Sequence, residues 1–401
     1  MRPDGAVEVI RKLRSRGHEA YLVGGCVRDL IMKIEPADYD IATSALPEDI
    51  IRIFPRTEPI GAQFGVILVI HRGHPYEVAT FRSDEAYVDG RRPTGVVFTD
   101  ARTDVLRRDF TINGLLYDPV AGEVIDHVSG QADIRAKVVR AIGDPQKRFE
   151  EDKLRILRAI RFGARLGYSI EPKTWAAVRR MAPEIRQVSA ERIRDELLRI
   201  LTEGQAAHGC RMLHESGVMA VILPDLRWDE HLERTLGMLQ REIAPDFAMA
   251  VLLHETPEES VGVITDRMKF SGYEAQHIFE LVDNRRRFRT VRKMPVSSLK
   301  RFFRMLRFED HLELARICAA AGGADLEDYN YALLKYRTWS QDEISPAPLV
   351  SGEDLIELGF TPGPVFKEIL TRVEDEQLEG RLQRRAQAVE FVLAHYKANA
   401  R

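Results

Sequence analysis

The chain has 401 residues, 44% apolar and 30% charged, which is too long for one ordinary core and has the composition of a well-folded soluble protein. No apolar run approaches the roughly 18 residues of a membrane span, and MRPDGAVEVIRKLRSRG reads as an amphipathic helix without a signal-peptide core, so the cytoplasm is expected and a membrane partner is not. Net charge is −3 and the three cysteines are far apart without CxxC spacing, which argues against a disulfide framework or zinc site and requires any nucleic-acid partner to meet a local basic patch.

In chain order, AYLVGG is a short strand ending in glycines, VRDLIMKI is helical, and DYDIAT is extended with alternating side chains. FGVILVIHRGHPYEVATFRS reads as two strands joined at Arg72-Gly73-His74, and SDEAYVDGRRPTGVVFTDARTD as a long mobile loop. From about Asp144 helical periodicity takes over. FEEDKLRILRAIRFGARLG, SAERIRDELLRILTEG and AAHGCRMLHESGV each carry apolar residues three and four apart. The expectation is an α/β head followed by an all-α remainder.

Four stretches carry chemistry. On an extended segment Asp38 and Asp40 project to the same side while Tyr39 turns away. Two such carboxylates repel unless a cation lies between them, and Mg2+ prefers oxygen ligands completed by substrate phosphates; Glu77, in YEVATF, is a third candidate ligand if its strand lies beside DYD. Gly24 and Gly25 permit close backbone approach to a phosphate, with Arg28 aimed at the same place. In RRDFTING, Arg108 suits triphosphate oxygens, and Asp109 and Asn113 suit a ribose hydroxyl. In EDKLRILRAIRF, Asp152 and Arg155 are expected to share a helix face, followed by Arg158 and Arg161. An acceptor beside a donor matches the amino group and bare ring nitrogen shared by cytosine and adenine, and mismatches uracil and guanine. Each stretch also has a plain reading, as a surface turn or an intrahelical salt bridge.

LVGGCVRD with DYDIAT, then RRDFTIN, then EDKLRILRAIRF, then SAERIRDEL, in this order, resemble the class II tRNA nucleotidyltransferases, the CCA-adding enzymes and their bacterial poly(A) polymerase relatives. The resemblance extends weakly to LVSGEDLIELGFTPGPVFKEIL. It implies an α+β chain with a polymerase-β-like nucleotidyltransferase head (residues 1–143) and all-α neck (144–205), body (206–340) and tRNA-binding tail (341–401), arranged as a hook. It implies that Asp38 and Asp40 are the catalytic Mg2+ ligands, and that Gly25, Arg28, Arg108, Asp109 and Asn113 bind nucleotide. Asp152 and Arg155 become the amino-acid template for CTP and ATP, flanked by Arg158 and Arg161. The polar segment with Tyr87, Asp89, Arg91, Arg92 and Pro93 resembles the flexible loop that such enzymes need for switching from CTP to ATP, which favours full CCA addition over adding only the two cytidines. Lys33 stands where glycine often follows the VRD helix, and Gly114 where alanine is common. LLHE at 252–255 is the nearest match to the His-Asp pair of a metal-dependent phosphohydrolase domain found in some relatives; with Glu255 for aspartate and no supporting histidine cluster, no phosphatase activity is expected.

NRRRFRTVRK and LKRFFRMLRF interleave arginines with Phe288, Phe302 and Phe303. They suit an RNA track with stacking aromatics or, equally, amphipathic helices with core phenylalanines. The expected activity is Mg2+-dependent transfer of CMP and AMP from CTP and ATP to the 3′ end of tRNA. A specialised A-adding or CC-adding enzyme, a poly(A) polymerase and a non-catalytic tRNA-binding protein are the alternatives.

Overall fold

A computed structural model of the chain describes residues 3–61, 64–84 and 96–396. It divides into two compact units: Met1–Trp228 with Leu239–Ala248 and Ile264–Lys269, and the remaining segments from Asp229 onward.

The first unit opens with α1 (Pro3–Arg14), β1 (Ala20–Val23), α2 (Gly25–Ile31), β2 (Ile41–Thr43), α3 (Pro47–Ile53), β3 (Thr57–Gly61), β4 (Val66–His71) and β5 (His74–Thr80). Ala6, Val9, Ile10 and Leu13 form the buried stripe of α1, the period of an amphipathic helix. The turn between β4 and β5 is Arg72-Gly73, both at positive φ, as a tight hairpin requires; His74 already pairs with His71. β6 (Arg82–Asp84), β7 (Val96–Phe98), α4 (Ala101–Leu106), β8 (Leu115–Asp118), β9 (Glu123–Asp126), α5 (Gly130–Ala136) and β10 (Val138–Val139) follow. The order of the seven-stranded sheet is β3-β4-β5-β2-β1-β8-β9, antiparallel except where β2 and β5 run parallel. Val23, Ala42, Phe81, Val105 and Leu116 pack together in its core.

The polar stretch 83–104 is more ordered at its ends than a loop reading allows. β6 and β7 pair antiparallel from Arg82↔Phe98 to Asp84↔Val96, and Asp100 caps α4 by accepting from the Thr103 amide at 2.8 Å. Tyr87, Asp89, Arg91, Arg92 and Pro93 lie outside the described residues.

Next come α6 (Pro145–Glu151), α7 (Arg155–Leu166), β11 (Ser169–Ile170), α8 (Pro172–Met181), α9 (Ala190–Thr202) and α10 (Ala206–Glu215). The expected single helix through EDKLRILRAIRF is broken. Asp152 is extended, with φ −144°, and its carboxylate takes the Leu154 amide at 3.0 Å, a local bond that competes with helix continuation. Asp152 and Arg155 therefore do not share a helical face. A short strand also interrupts the helical region, since β11 pairs with β10 across residue 144. α10 packs onto α7 and α9 at Gly209, where a Cβ would sit 2.5 Å from Ile200 and 3.1 Å from Ala164.

Two cores organise the second unit. One gathers Phe288, Val291, Leu299, Phe302, Phe303 and Phe308, with Phe288 and Phe302 rings 5.1 Å apart; the phenylalanines of the arginine-rich run are therefore core residues, not stacking platforms. Arg301 on the helix Val296–Phe303 and Arg304 at its C-cap each reach Glu374 at 2.6 Å. The other core gathers Val350, Leu355, Ile369, Val373, Ala388 and Val392. Among the described residues no helix is long and apolar enough to cross a membrane.

Candidate active site

Sheet register brings the first three stretches together. The C-terminal end of β1 pairs with the start of β2 on one side and β8 on the other, so Gly24, Asp40 and Asn113 meet at one sheet end. Gly24 makes the turn at φ +79°, a conformation that favours glycine, and its amide donates to the Leu115 carbonyl at 3.2 Å. α2 closes in a Schellman motif: the Ile34 amide reaches Asp29 O and the Lys33 amide reaches Leu30 O. Lys33 itself lies at φ +59°, which accounts for glycine being common there.

A cavity of about 320 Å³ sits at this end, lined by Gly24, Gly25, Arg28, Asp29, Ala37, Asp38, Asp40, Arg108, Asp109, Asn113, Arg158, Arg161, Phe162, Arg165 and Arg199. Ten sequence-derived residues are thus drawn to one place: Gly24, Gly25, Arg28, Asp38, Asp40, Arg108, Asp109, Asn113, Arg158 and Arg161. Asp38 is exposed, Tyr39 buried and Asp40 half-buried, the alternation expected of DYD. Burial pushes the Asp40 pKa up to about 6, with Asp38 and Glu77 adding repulsion and Arg108 opposing them. Glu77 owes its influence to the parallel register Ile41↔Val78, which sets it level with Asp40. It does not close a tight three-carboxylate cluster with the pair: the grouping of three metal-type donors within 4.8 Å among the described residues is His231, His254 and Glu255.

The arginines are fixed by carboxylates. Arg28, 2% exposed, is held by Asp29 at 2.7 Å and donates to Asn113 Oδ1 at 2.8 Å. Asp104, 1% exposed, accepts from Arg107 on one oxygen and Arg108 on the other, at 2.8 and 3.0 Å. Burial alone would raise its pKa, but the two guanidinium groups hold it below the usual carboxylate range. Asp109 accepts from Arg158 Nε at 2.8 Å; against the burial that raises it, Arg158 draws its pKa down to about 2. Arg161 approaches Glu196 at 2.9 Å, and burial brings its pKa down to about 10 despite that carboxylate.

Asp152 and Arg155 are engaged elsewhere and do not line the cavity. Asp152 accepts from Arg192 at 2.8 Å, while Arg155 donates to Glu151 at 2.7 Å and to the carbonyls of Arg148 and Arg107. Sequence reasoning missed Asp29, Asp104, Arg165 and Arg199. Arg165 was accessible to it, continuing the Arg158, Arg161 face of α7 four residues on; Arg199 comes from α9, which no local spacing links to the site. The LLHE segment also needs a correction, because His231 supplies the histidine neighbour that the sequence did not reveal.

Six arginines against four aspartates around one cavity, with a carboxylate pair at a sheet end, are a lining chemically suited to a polyphosphate and a divalent cation, the arrangement of a nucleotidyltransferase head. Comparison with known proteins supports that class. Residues 20–140 match the Poly A polymerase head domain, and residues 167–229 the probable RNA and SrmB-binding site of polymerase A. The chain is 33% identical over 95% of both lengths to a CCA-adding enzyme of Bacillus cytotoxicus, and 42% identical over 226 residues to that of Geobacillus stearothermophilus, covering 56% of this chain and 55% of the other. The crystal structure of the Bacillus stearothermophilus CCA-adding enzyme in complex with CTP superposes with a TM-score of 0.81 at 30% identity, covering 98% and 99% of the two chains. The Thermotoga maritima CCA-adding enzyme complexed with tRNA, 21% identical with coverage of 98% and 96%, shares the fold at a TM-score of 0.67. The chain belongs to the class II CCA-adding enzymes, which are tRNA nucleotidyltransferases.

Proposed function

We propose that this protein works in the cytoplasm, adding CMP and AMP from CTP and ATP to the 3′ end of tRNA to complete the CCA terminus. The observation that carries the reading is the arginine-lined cavity closed on one side by Asp38 and Asp40. Asp40, raised toward neutrality by burial and two neighbouring carboxylates, fits a group built to face a cation. Asp38 and Asp40 are the residues that would hold Mg2+, whose charge acidifies the attacking hydroxyl and offsets the leaving phosphate.

This chain's own residues supply binding and orientation. Arg28, Arg108 and Arg158, pre-set by Asn113, Asp104 and Asp109, hold the triphosphate; Arg161 adds to the positive wall. Gly25 leaves room for the phosphates. Asp109 and Asn113 retain unused bonding capacity for the ribose hydroxyls. The 3′ hydroxyl oxygen of tRNA bonds to the α-phosphorus, the bond to the bridging oxygen breaks, pyrophosphate departs and the hydroxyl proton passes to solvent. Asp152 and Arg155 read the base, for which they exchange Arg192 and Glu151 for its amino group and ring nitrogen.

The test uses tRNA transcripts ending before CCA, after C and after CC, with CTP, ATP or both, read at single-nucleotide resolution. All three reaching CCA and stopping is the expected result. Extension only from the CC end, a halt at CC, or a long A ladder would assign an A-adding enzyme, a CC-adding enzyme or a poly(A) polymerase instead. No extension with Mg2+ present would sink the catalytic reading.

A further inference from the structure

His231 lies on the helix Glu230–Gly237, and His254 and Glu255 follow the helix Pro245–Leu253. Some 23 residues separate them in sequence, yet one donor atom from each lies within 4.8 Å of the others. His254 is wholly buried, and its Nδ1 is 2.8 Å from the Val251 carbonyl. A carbonyl only accepts, so Nδ1 carries the proton and Nε2 is left with a bare lone pair. That Nε2 is buried with no hydrogen-bond partner. Leaving such a bond unmade is costly, and a carbonyl on the far ring nitrogen is how proteins fix a histidine for metal ligation. The two rings meet edge-on, inclined at 61° with centroids 5.5 Å apart, and His231 Nε2 lies 3.8 Å from Glu255 Oε1.

We propose that His231, His254 and Glu255 form a binding site for a first-row divalent cation of the zinc class, separate from the Asp38–Asp40 site. Two imidazoles and one carboxylate are a donor set for Zn2+, and disfavour Mg2+, which takes oxygen ligands. Bonds of about 2.0–2.2 Å place tetrahedral ligands roughly 3.3 Å apart, so the triad contracts on binding. His254 is the fixed member, while His231 and Glu255, with side chains 27% and 47% exposed, move to meet it. Both also line a cavity of about 440 Å³ shared with Arg285, Arg289 and Cys318, which leaves the fourth position open to water or a small anion. Arg285, 3.5 Å from Glu255, competes with the cation for that carboxylate and keeps the site from binding at its tightest. The proposal is for a bound cation and assigns no hydrolysis to it.

The experiment uses the full chain carrying Asp38→Ala and Asp40→Ala, stripped with chelator, and titrated with Zn2+ by calorimetry and with Co2+ by visible absorption. One ion per chain with a Co2+ d–d band is expected. His231→Ala and Glu255→Gln, both at partly exposed positions, are each expected to weaken Zn2+ binding by about 100-fold and to lose the band. Their metal-free thermal unfolding stays that of the parent, and Zn2+ raises the parent's Tm but not theirs. Absence of stoichiometric binding, or equal affinity in parent and variants, overturns the proposal, the second result assigning the ion to other histidines among the 11 of the chain.

Discussion

Asp40 and Asp109 are both carboxylates in one cavity, and their surroundings drive them in opposite directions. Asp40 has burial and two like charges against it, so ionising it strains the metal-free fold. Asp40→Asn is expected to lower nucleotide addition by about 10³-fold or more while raising the metal-free Tm. Mg2+ then stabilises the wild type and not the variant; thermal melts with and without Mg2+ check this, and equal Mg2+ shifts in both proteins would remove Asp40 from the metal site. Asp109 is held by Arg158 at about 2, below its unfolded value near 3.9. A depressed acid contributes stability that is complete above its unfolded pKa and lost as pH falls through its folded one. The stability gap between wild type and Asp109→Asn is therefore expected to be on the order of 2 kcal/mol above pH 4–5 and to narrow toward pH 2. Urea unfolding across that window is the measurement, and a gap independent of pH contradicts the Arg158 pairing.

Among elements, the sequence spoke most clearly where a local pattern and a local cause coincide. AYLVGG, VRDLIMKI and the hairpin at residue 72 follow from alternation, periodicity and positive-φ turn residues, all within a few positions. Of the ten cavity residues read from the sequence, the eight of the first three stretches meet because β1 brings its two neighbours' starts to its own end, and Arg158 and Arg161 arrive separately on α7. The break at Asp152 was not legible: apolar spacing runs through it, and the carboxylate's capture of the Leu154 amide overrides periodicity. Under the proposed base-reading role the break has a consequence, since it takes Asp152 out of the helix that carries Arg155 and leaves it bound to the Leu154 amide and Arg192. Asp152→Ala is expected to relax discrimination against UTP and GTP by about 10–100-fold, equivalent to the 1–3 kcal/mol of a bidentate base contact. Misincorporation ratios from single-turnover assays test it, and unchanged ratios would place base selection elsewhere.

At the scale of the whole molecule, a net charge of −3 hides local basic surface, but the arginine-rich run is less available than its composition suggested. Arg292 is bound to Glu327 and Asp328, and Arg301 and Arg304 to Glu374, whereas Arg286 and Arg289 are exposed. Replacing Arg286 and Arg289 with alanine is expected to weaken tRNA binding and flatten its log–log salt dependence by about 1–2, measured by filter binding over a salt series; an unaltered slope would exclude them from the RNA track. Such long-range pairings are invisible to a one-dimensional reading, as is the continuity of α10 with α7 and α9. One of them ties the proposed base-reading residue Arg155 to the head itself. The guanidinium of Arg155 donates to the Arg107 carbonyl at 3.1 Å, and Arg148 donates to the carbonyls of Arg107 and Leu106, so both residues cap the C-terminal end of α4. Arg155 spends on a helix terminus the same donors that the proposed base reading needs, and the two uses exclude each other. By reciprocity, whatever firms that terminus must weaken base binding by the factor with which a bound base loosens the terminus.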